Sequence, residues 1–297
     1  MWNYFKNCLI IILVVLLIPI FLVKILNNSN NVNISRRVKN VLTMNGIKAL
    51  SSYLVQNPQE SYDIAQLQRE FSEVGLTADD LKTIFRELIN EGKIPEYFES
   101  VTEQDELTGI LIRRDLVHKN GDWHRGSHVL VVDSEGKILL QVRGSQQAHP
   151  GLLDFSVTGH VRVGESYIDA ALRETTEEIG LEISLQDLVL VEHEGFFSKS
   201  SSTDISEEIH RGSFFQYRDE ILVNNEFLTL YICIVSDEQK AQIQAGEEVA
   251  GFSSVDFDEA VAIGMIHPED FSDSARHYLG SPELVAAIRI VIDKNSP

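Results

Sequence analysis

The sequence predicts an α+β or α/β sandwich, with strands leading into one well-marked helix and further helices closing the chain. Three observations carry that prediction. His128–Val132 and Lys137–Val142 are β-rich runs joined by Asp133, Ser134, Glu135 and Gly136, a hairpin with its turn written into it. The stretch from Gly159 to Leu181 (GHVRVGESYIDAALRETTEEIGL) reads as a glycine-rich loop, a helix and a glycine stop. Beyond residue 256 the apolar spacing turns helical, over Asp256–Ile263, Pro268–Tyr278 and Pro282–Asp293.

The N-terminus is read separately. Residues 8–23 (CLIIILVVLLIPIFLV) carry no charge, and Trp2, Tyr4, Phe5, Ile25 and Leu26 extend the apolar stretch. Roughly 20 such residues suffice to cross a bilayer as a helix. Trp2 and Tyr4 suit one interface and Lys24 the other. A cleavable signal peptide would need a small-residue cleavage site, and an Asn-rich spacer follows instead. The expectation is a single-pass membrane anchor over 1–26. Only Lys6 precedes the uncharged run 8–23, while Lys24, Arg36, Arg37 and Lys39 follow it, which places the soluble body in the cytoplasm.

Residues 27–35 (NNSNNVNIS) form a polar linker. The expected helical region spans 36–106. Val38, Val41, Leu42 and Ile47 open one stretch, Ile64, Leu67 and Phe71 mark a second, and Thr77 caps a third. The main domain spans 107–297, with further strands at Asp154–Val161, Leu188–Phe197, Phe214–Val223 and Glu226–Val235.

The 297 residues include 45 acidic and 25 basic side chains, a net charge of −20. No nucleic-acid footprint exists in so acidic a chain. Two cysteines cannot build a disulfide framework, and Cys233, in a strand, reads as core.

The chemistry concentrates on one helix. Glu174, Glu177 and Glu178 stand at i, i+3 and i+4, so one face carries three carboxylates. Like charges at that spacing destabilise a helix, and a hard divalent cation, Mg²⁺ or Mn²⁺, is the natural compensation. Glu174 and Glu178 are the leading metal ligands, with Glu177 beside them.

The pattern G-x5-E-x7-R-E-x-x-E-E-x-G-L resembles the Nudix box. Gly159, Glu165, Arg173, Glu174, Glu177, Glu178 and Gly180 fill its charged and glycine positions, and Thr175 replaces an aliphatic residue. The resemblance implies a mixed sheet between helices, and a hydrolase acting on a small diphosphate such as a nucleoside diphosphate derivative. Glu165 and Arg173 read as an ion pair holding the loop to the helix. Gly159 lets the loop backbone approach the metal.

A second resemblance is to the isopentenyl-diphosphate-isomerase-like branch. It rests on His124-Arg125, on Ser145 to Gly151, and on Ser156 to His160, over roughly residues 107 to 260. It implies that His124 and His160 contribute to a metal site and that Glu226 is a ligand or acid. Thr158 stands where the isomerases carry a catalytic Cys, and Gln146 and Gln147 stand where they carry lysines. Hydrolysis is therefore expected, with isomerisation or a non-catalytic, membrane-tethered nucleotide- or partner-binding module as alternatives. Arg125 and Arg143 are the nearest cations for a phosphate group, and His118 and His128 read as strand-edge residues.

Overall fold

The computed structural model describes residues 44, 46–147, 149–192, 213–218 and 223–295. The expected anchor over 1–26, the linker and the loop from Ser198 to Gly212 lie outside these residues. Among the described residues no helix is long and apolar enough to cross a membrane.

The chain forms two units, one comprising residues up to Pro58 together with Ile64–Ile94, the other Gln59–Asp63 together with Pro95 onward. The first unit is helical. It contains α1 (46–56), α2 (Ile64–Glu70) and α3 (Ala78–Asn90). Thr77 and Asp80 cap α3 reciprocally, which satisfies two backbone donors that the helix itself leaves free. Its inward face is Leu81, Ile84, Phe85 and Leu88.

The second unit holds two sheets. Strands β1 (Ser61–Asp63), β2 (Tyr97–Val101) and β3 (Leu107–Arg113) form a small antiparallel sheet, in the order β1-β3-β2. Residues 95–106, expected within the helical region, thus build part of the larger unit. The reason is the burial of Tyr97, Phe98, Ser100 and Val101, which leaves no polar helix face.

After α4 (Arg114–Asn120) comes the main sheet. Its strands are β4 (Trp123–Val132), β5 (Lys137–Arg143), β6 (Leu153–Phe155), β7 (Val157–His160), β8 (Leu188–Leu190), β9 (Ser213–Arg218), β10 (Val223–Ile234) and β11 (Val249–Asp256). The path runs β11-β5-β4-β10-β8, and among the described strands only β4 and β10 pair in parallel. The sheet is therefore mixed.

Helix α5 (Tyr167–Ile179) packs Tyr167, Ala170, Ala171 and Ile179 on Val129, Val131, Val157 and Cys233 on one face. The short α6 (Asp237–Lys240) precedes β11. Helices α7 (Phe257–Ile266), α8 (Asp273–Gly280) and α9 (Pro282–Asn295) cover Leu130, Ile138, Leu140, Phe155 and Leu230 on the other. Alternation along β4, with Val129 and Val131 on one side and Leu130 and Val132 on the other, supplies both cores. The helix expected over Pro268–Tyr278 is broken because Ser272 caps α8, accepting from the Ala275 N–H.

One detail positions the site. Strands β4 and β5 pair only beside their turn, at Val131–Leu139 and Val132–Ile138. Further along they diverge, with β6 pairing β5 and β7 pairing β4. The single expected strand Asp154–Val161 splits at Ser156, whose buried hydroxyl donates to the Leu139 carbonyl and accepts from the Val131 N–H. A cavity of about 1060 Å³ opens in this unit, lined from β4, β7, α4, α5 and β10 among others.

Candidate active site

Helix α5 brings the carboxylates to the cavity. Ser166 and Asp169 form its capping box, and Gly180, at a φ of 67°, closes it by donating to the Thr176 carbonyl. The loop before β11 completes the helix end, with the N–H groups of Gly246 and Gln244 donating to the carbonyls of Glu178 and Ile179. Thr175 is buried, and its hydroxyl donates to the Ala171 carbonyl at 2.7 Å.

Glu174 and Glu178 line the cavity side by side. Burial pushes the Glu174 carboxyl up to about 7, against the pull of the Arg173 guanidinium. Glu178 is pushed well above the usual range by burial and by Glu174, against the Thr158 N–H that donates to it. Two buried carboxylates at this spacing repel, and a cation resolves that repulsion. Gly159 stands over this pair, where a Cβ would overlap the Glu174 side chain at 2.1 Å.

Glu177 lines the same cavity, with its carboxylate engaged by arginines. It is half-exposed and accepts from Arg162 at 3.1 Å through each oxygen and from Arg173 at 3.1 Å. Arg173 meets Glu165 through two bonds of 2.8 Å and donates to the His160 carbonyl, the ion pair that the sequence suggested.

Opposite α5 lies a histidine cluster. His118, His124 and His160 place ligand atoms within 4.8 Å of one another. The Oε1 of Glu226 is 3.9 Å from His124 Nε2 and 3.7 Å from His160 Nε2. His124 Nδ1 lies 3.0 Å from the Asp122 carbonyl, which can only accept, so Nδ1 carries the proton and Nε2 presents a lone pair. That Nε2 is buried without a hydrogen-bond partner. Gly126 makes the room, since a Cβ there would sit 2.1 Å from Glu226 Oε1. Burial holds His118 at about 4 and His124 at about 3, and pushes Glu226 up to about 8. Neutral imidazoles beside a carboxyl form a donor set that a divalent cation fits, and the nitrogen content suits Zn²⁺ better than Mg²⁺.

Several expectations are corrected here. His118 is no strand-edge residue, since it sits on α4 and its ring meets His124 and His160 edge-on at 4.8 and 5.1 Å. His128 is a buried cavity residue held at about 4 by burial. Arg125 lines no part of the cavity, because Asp105 holds its Nε at 2.6 Å and its Nη2 at 2.7 Å. Arg143 does line it, paired with Asp154 at 2.7 Å. Sequence reasoning missed Arg114 and Arg162, which clamp Glu96 at 2.7 and 2.6 Å on the cavity wall. Burial would raise Glu96, and the two guanidinium groups outweigh it, holding the carboxyl low. Nothing in the local spacing distinguishes these arginines from other surface cations.

The NUDIX domain model matches residues 122–276, more than half of the chain. The chain belongs to the Nudix hydrolase family. Nudix hydrolase 3 of Arabidopsis thaliana is 37% identical over 90 residues, 30% of this chain and 12% of that protein. An uncharacterized Nudix hydrolase of Pseudomonas aeruginosa is 40% identical over 98 residues, 33% of this chain and 55% of its own length. The isopentenyl-diphosphate Delta-isomerase of Serratia proteamaculans is 33% identical over 140 residues, 40% of this chain and 78% of its own. The chain thus spans about half or less of the first two relatives. Among solved structures, DR0079 from Deinococcus radiodurans aligns at a TM-score of 0.43 with 20% identity, covering 62% of this chain and 97% of that one.

The Nudix site sets a pH dependence on the cation-free protein. Folded Glu174 and Glu226 keep protons that ordinary glutamates release near 4.5, so their contribution to stability falls as pH rises toward about 7 and about 8. The buried histidines act oppositely. They stay neutral when folded while the unfolded chain protonates near 6.5, so their contribution grows with pH and is complete above that value. Above pH 6.5 only the fall remains, on the order of 1 kcal/mol per pH unit from Glu174 up to about 7 and from Glu226 up to about 8. The melting temperature of chelator-treated protein is expected to drop across that window, and Mn²⁺ to restore more stability at pH 8 than at pH 6.5. A flat or rising profile contradicts the assignment.

Proposed function

We propose that this protein is a divalent-metal-dependent Nudix hydrolase that cleaves the diphosphate linkage of a nucleoside diphosphate derivative or a similar small diphosphate. The observation that carries the reading is the pair of buried, mutually repelling carboxylates, Glu174 and Glu178, on the wall of a cavity also lined by Arg114, Arg143 and Arg162. Glu174 and Glu178 would hold Mg²⁺ or Mn²⁺, which supplies charge neutralisation at the phosphoryl oxygens. The arginines orient the remaining phosphate oxygens, an attraction the overall charge of −20 would otherwise oppose. Glu226, carrying its proton near neutral pH and steadied by Asn224 at 3.0 Å, is placed to donate toward a leaving oxygen.

The isomerase reading draws on the histidine–Glu226 cluster and on the Serratia relative. Thr158, rather than Cys, at the cavity argues against it, and Cys233 is buried in the α5-side core. The test is a panel of nucleoside and non-nucleoside diphosphates, with isopentenyl diphosphate included, given to the purified full chain with Mg²⁺ or Mn²⁺. Release of phosphate or of a monophosphate is expected. Metal-dependent binding without turnover would favour a non-catalytic module, and allylic product would favour the isomerase.

Residues 1–26 are proposed to anchor the protein in a membrane, with the Nudix domain on the cytoplasmic side. What supports this is the uncharged apolar run and the cation excess after it. The protein is expected to stay in the membrane fraction through an alkaline carbonate wash. Release by that wash removes the anchor.

A further inference from the structure

Gln141, on β5, is buried completely, yet it belongs to neither core and does not line the cavity. Its Nε2 spends both protons on named partners, Glu178 Oε2 at 3.0 Å and Thr158 Oγ1 at 3.1 Å. The Thr158 N–H donates to the same Glu178 oxygen at 3.0 Å. Oε2 of Glu178 thus receives two hydrogen bonds, one from a backbone amide and one from a buried side chain. We propose that Gln141 is a positioning residue that locks the rotation of the Glu178 carboxylate, so that Oε1 alone faces the cation. The inference rests on the reading of Glu178 as a metal ligand.

The physical case is one of competition. A carboxylate has two equivalent oxygens and turns freely about its last bond unless hydrogen bonds distinguish them. Second partners of this kind orient ligands and hold them at a defined distance from the metal. A glutamine here does so without bringing a charge into a pocket that already contains Glu174 and Glu178. With Glu178 ionised to hold the cation, the alternative orientation of the amide would set Oε1 of Gln141 against the carboxylate, so the donor arrangement is the one that chemistry permits. Thr158 closes the triangle, because its hydroxyl accepts from Gln141 while its N–H holds Glu178. The residue standing where the isomerases carry Cys is here committed to the carboxylate of α5. Burying Gln141 leaves its own Oε1 without a hydrogen-bond partner, a cost that packing alone would not select.

The test is Mn²⁺ affinity measured by calorimetry on the full chain, for wild type, Gln141→Met, Glu178→Gln and the double variant. Methionine keeps the length and removes both donors, and it also removes the unpaired oxygen, so folding is expected to persist. Gln141→Met is expected to weaken Mn²⁺ binding by roughly 10- to 100-fold. In the Glu178→Gln background the same change should do nothing further, because the carboxylate it positions is gone. Turnover should show a raised requirement for metal with kcat at saturating metal reduced less. Unchanged affinity in Gln141→Met, or an equal loss in both backgrounds, overturns the proposal. Wild-type binding that Glu178→Gln leaves unaltered overturns the metal reading itself, and the inference falls with it. Should Gln141→Met not fold, Thr158→Val removes one acceptor of Gln141 while keeping the N–H on Glu178, and it is expected to weaken Mn²⁺ binding by a smaller factor. No change in that variant would likewise overturn the proposal.

Discussion

Glu178→Gln is expected to lower turnover by roughly two to four orders of magnitude, about 3 to 5 kcal/mol of transition-state stabilisation. The substitution removes one ligand charge and keeps size. The surroundings accept it, since the amide oxygen can take the place of Oε2, which receives the Thr158 and Gln141 donors. The fold should survive, because a buried charge beside Glu174 disappears and with it their repulsion. Circular dichroism and the melting temperature check that half of the expectation, and initial rates at saturating substrate check the other. Glu165→Gln provides the contrast, since its partner is Arg173 and not the cation, so it should cost less activity and more stability. Wild-type rates from Glu178→Gln, with metal limiting, would remove the carboxylate from the mechanism.

Arg173→Ala should produce a large loss of stability. This one guanidinium serves Glu165, Glu174, Glu177 and the His160 carbonyl, with distances between 2.6 and 3.1 Å. Glu165 is 8% exposed and Glu174 12%, so removing the cation strands carboxylates that water cannot solvate. Breaking a buried pair on one side costs about 3 to 5 kcal/mol, and the melting temperature is expected to fall by roughly 10 °C. Arg173→Lys should recover only part of this, because an ammonium is a point charge and cannot span four acceptors. A melting temperature within a degree or two of wild type would show that the network contributes little to the fold.

These two residues illustrate how much of the site was legible beforehand. Glu174, Glu178 and the Glu165–Arg173 pair were readable because a helix and its preceding loop bring near neighbours together by local geometry alone. The hairpin at Asp133–Gly136 and the helices near the C-terminus were readable for the same reason, being patterns of period or turn chemistry. Glu177 was read as a ligand close behind Glu174 and Glu178, and its carboxylate is engaged by Arg162 from the preceding loop, an interaction that the helix spacing does not contain.

What the sequence by itself determined is the carboxylate-bearing helix: the glycine-rich loop before it, its stop at Gly180, and the carboxylates along its face. Only the tertiary structure decided what that helix faces. His118 meets His124 and His160 because α4 ends beside β4, and because β7 pairs β4 with Gly126 opposite His160. Glu226 reaches the same cluster through parallel pairing of β10 with β4, which sets it opposite His124. Arg125 leaves the site because Asp105, 20 positions away, takes its guanidinium. Gln141 enters it because β4 and β5 diverge and let β7 and α5 close over the gap. Strand register and pairing partner join residues 20 to 100 positions apart, and such separations leave no period in a sequence for local reasoning to find.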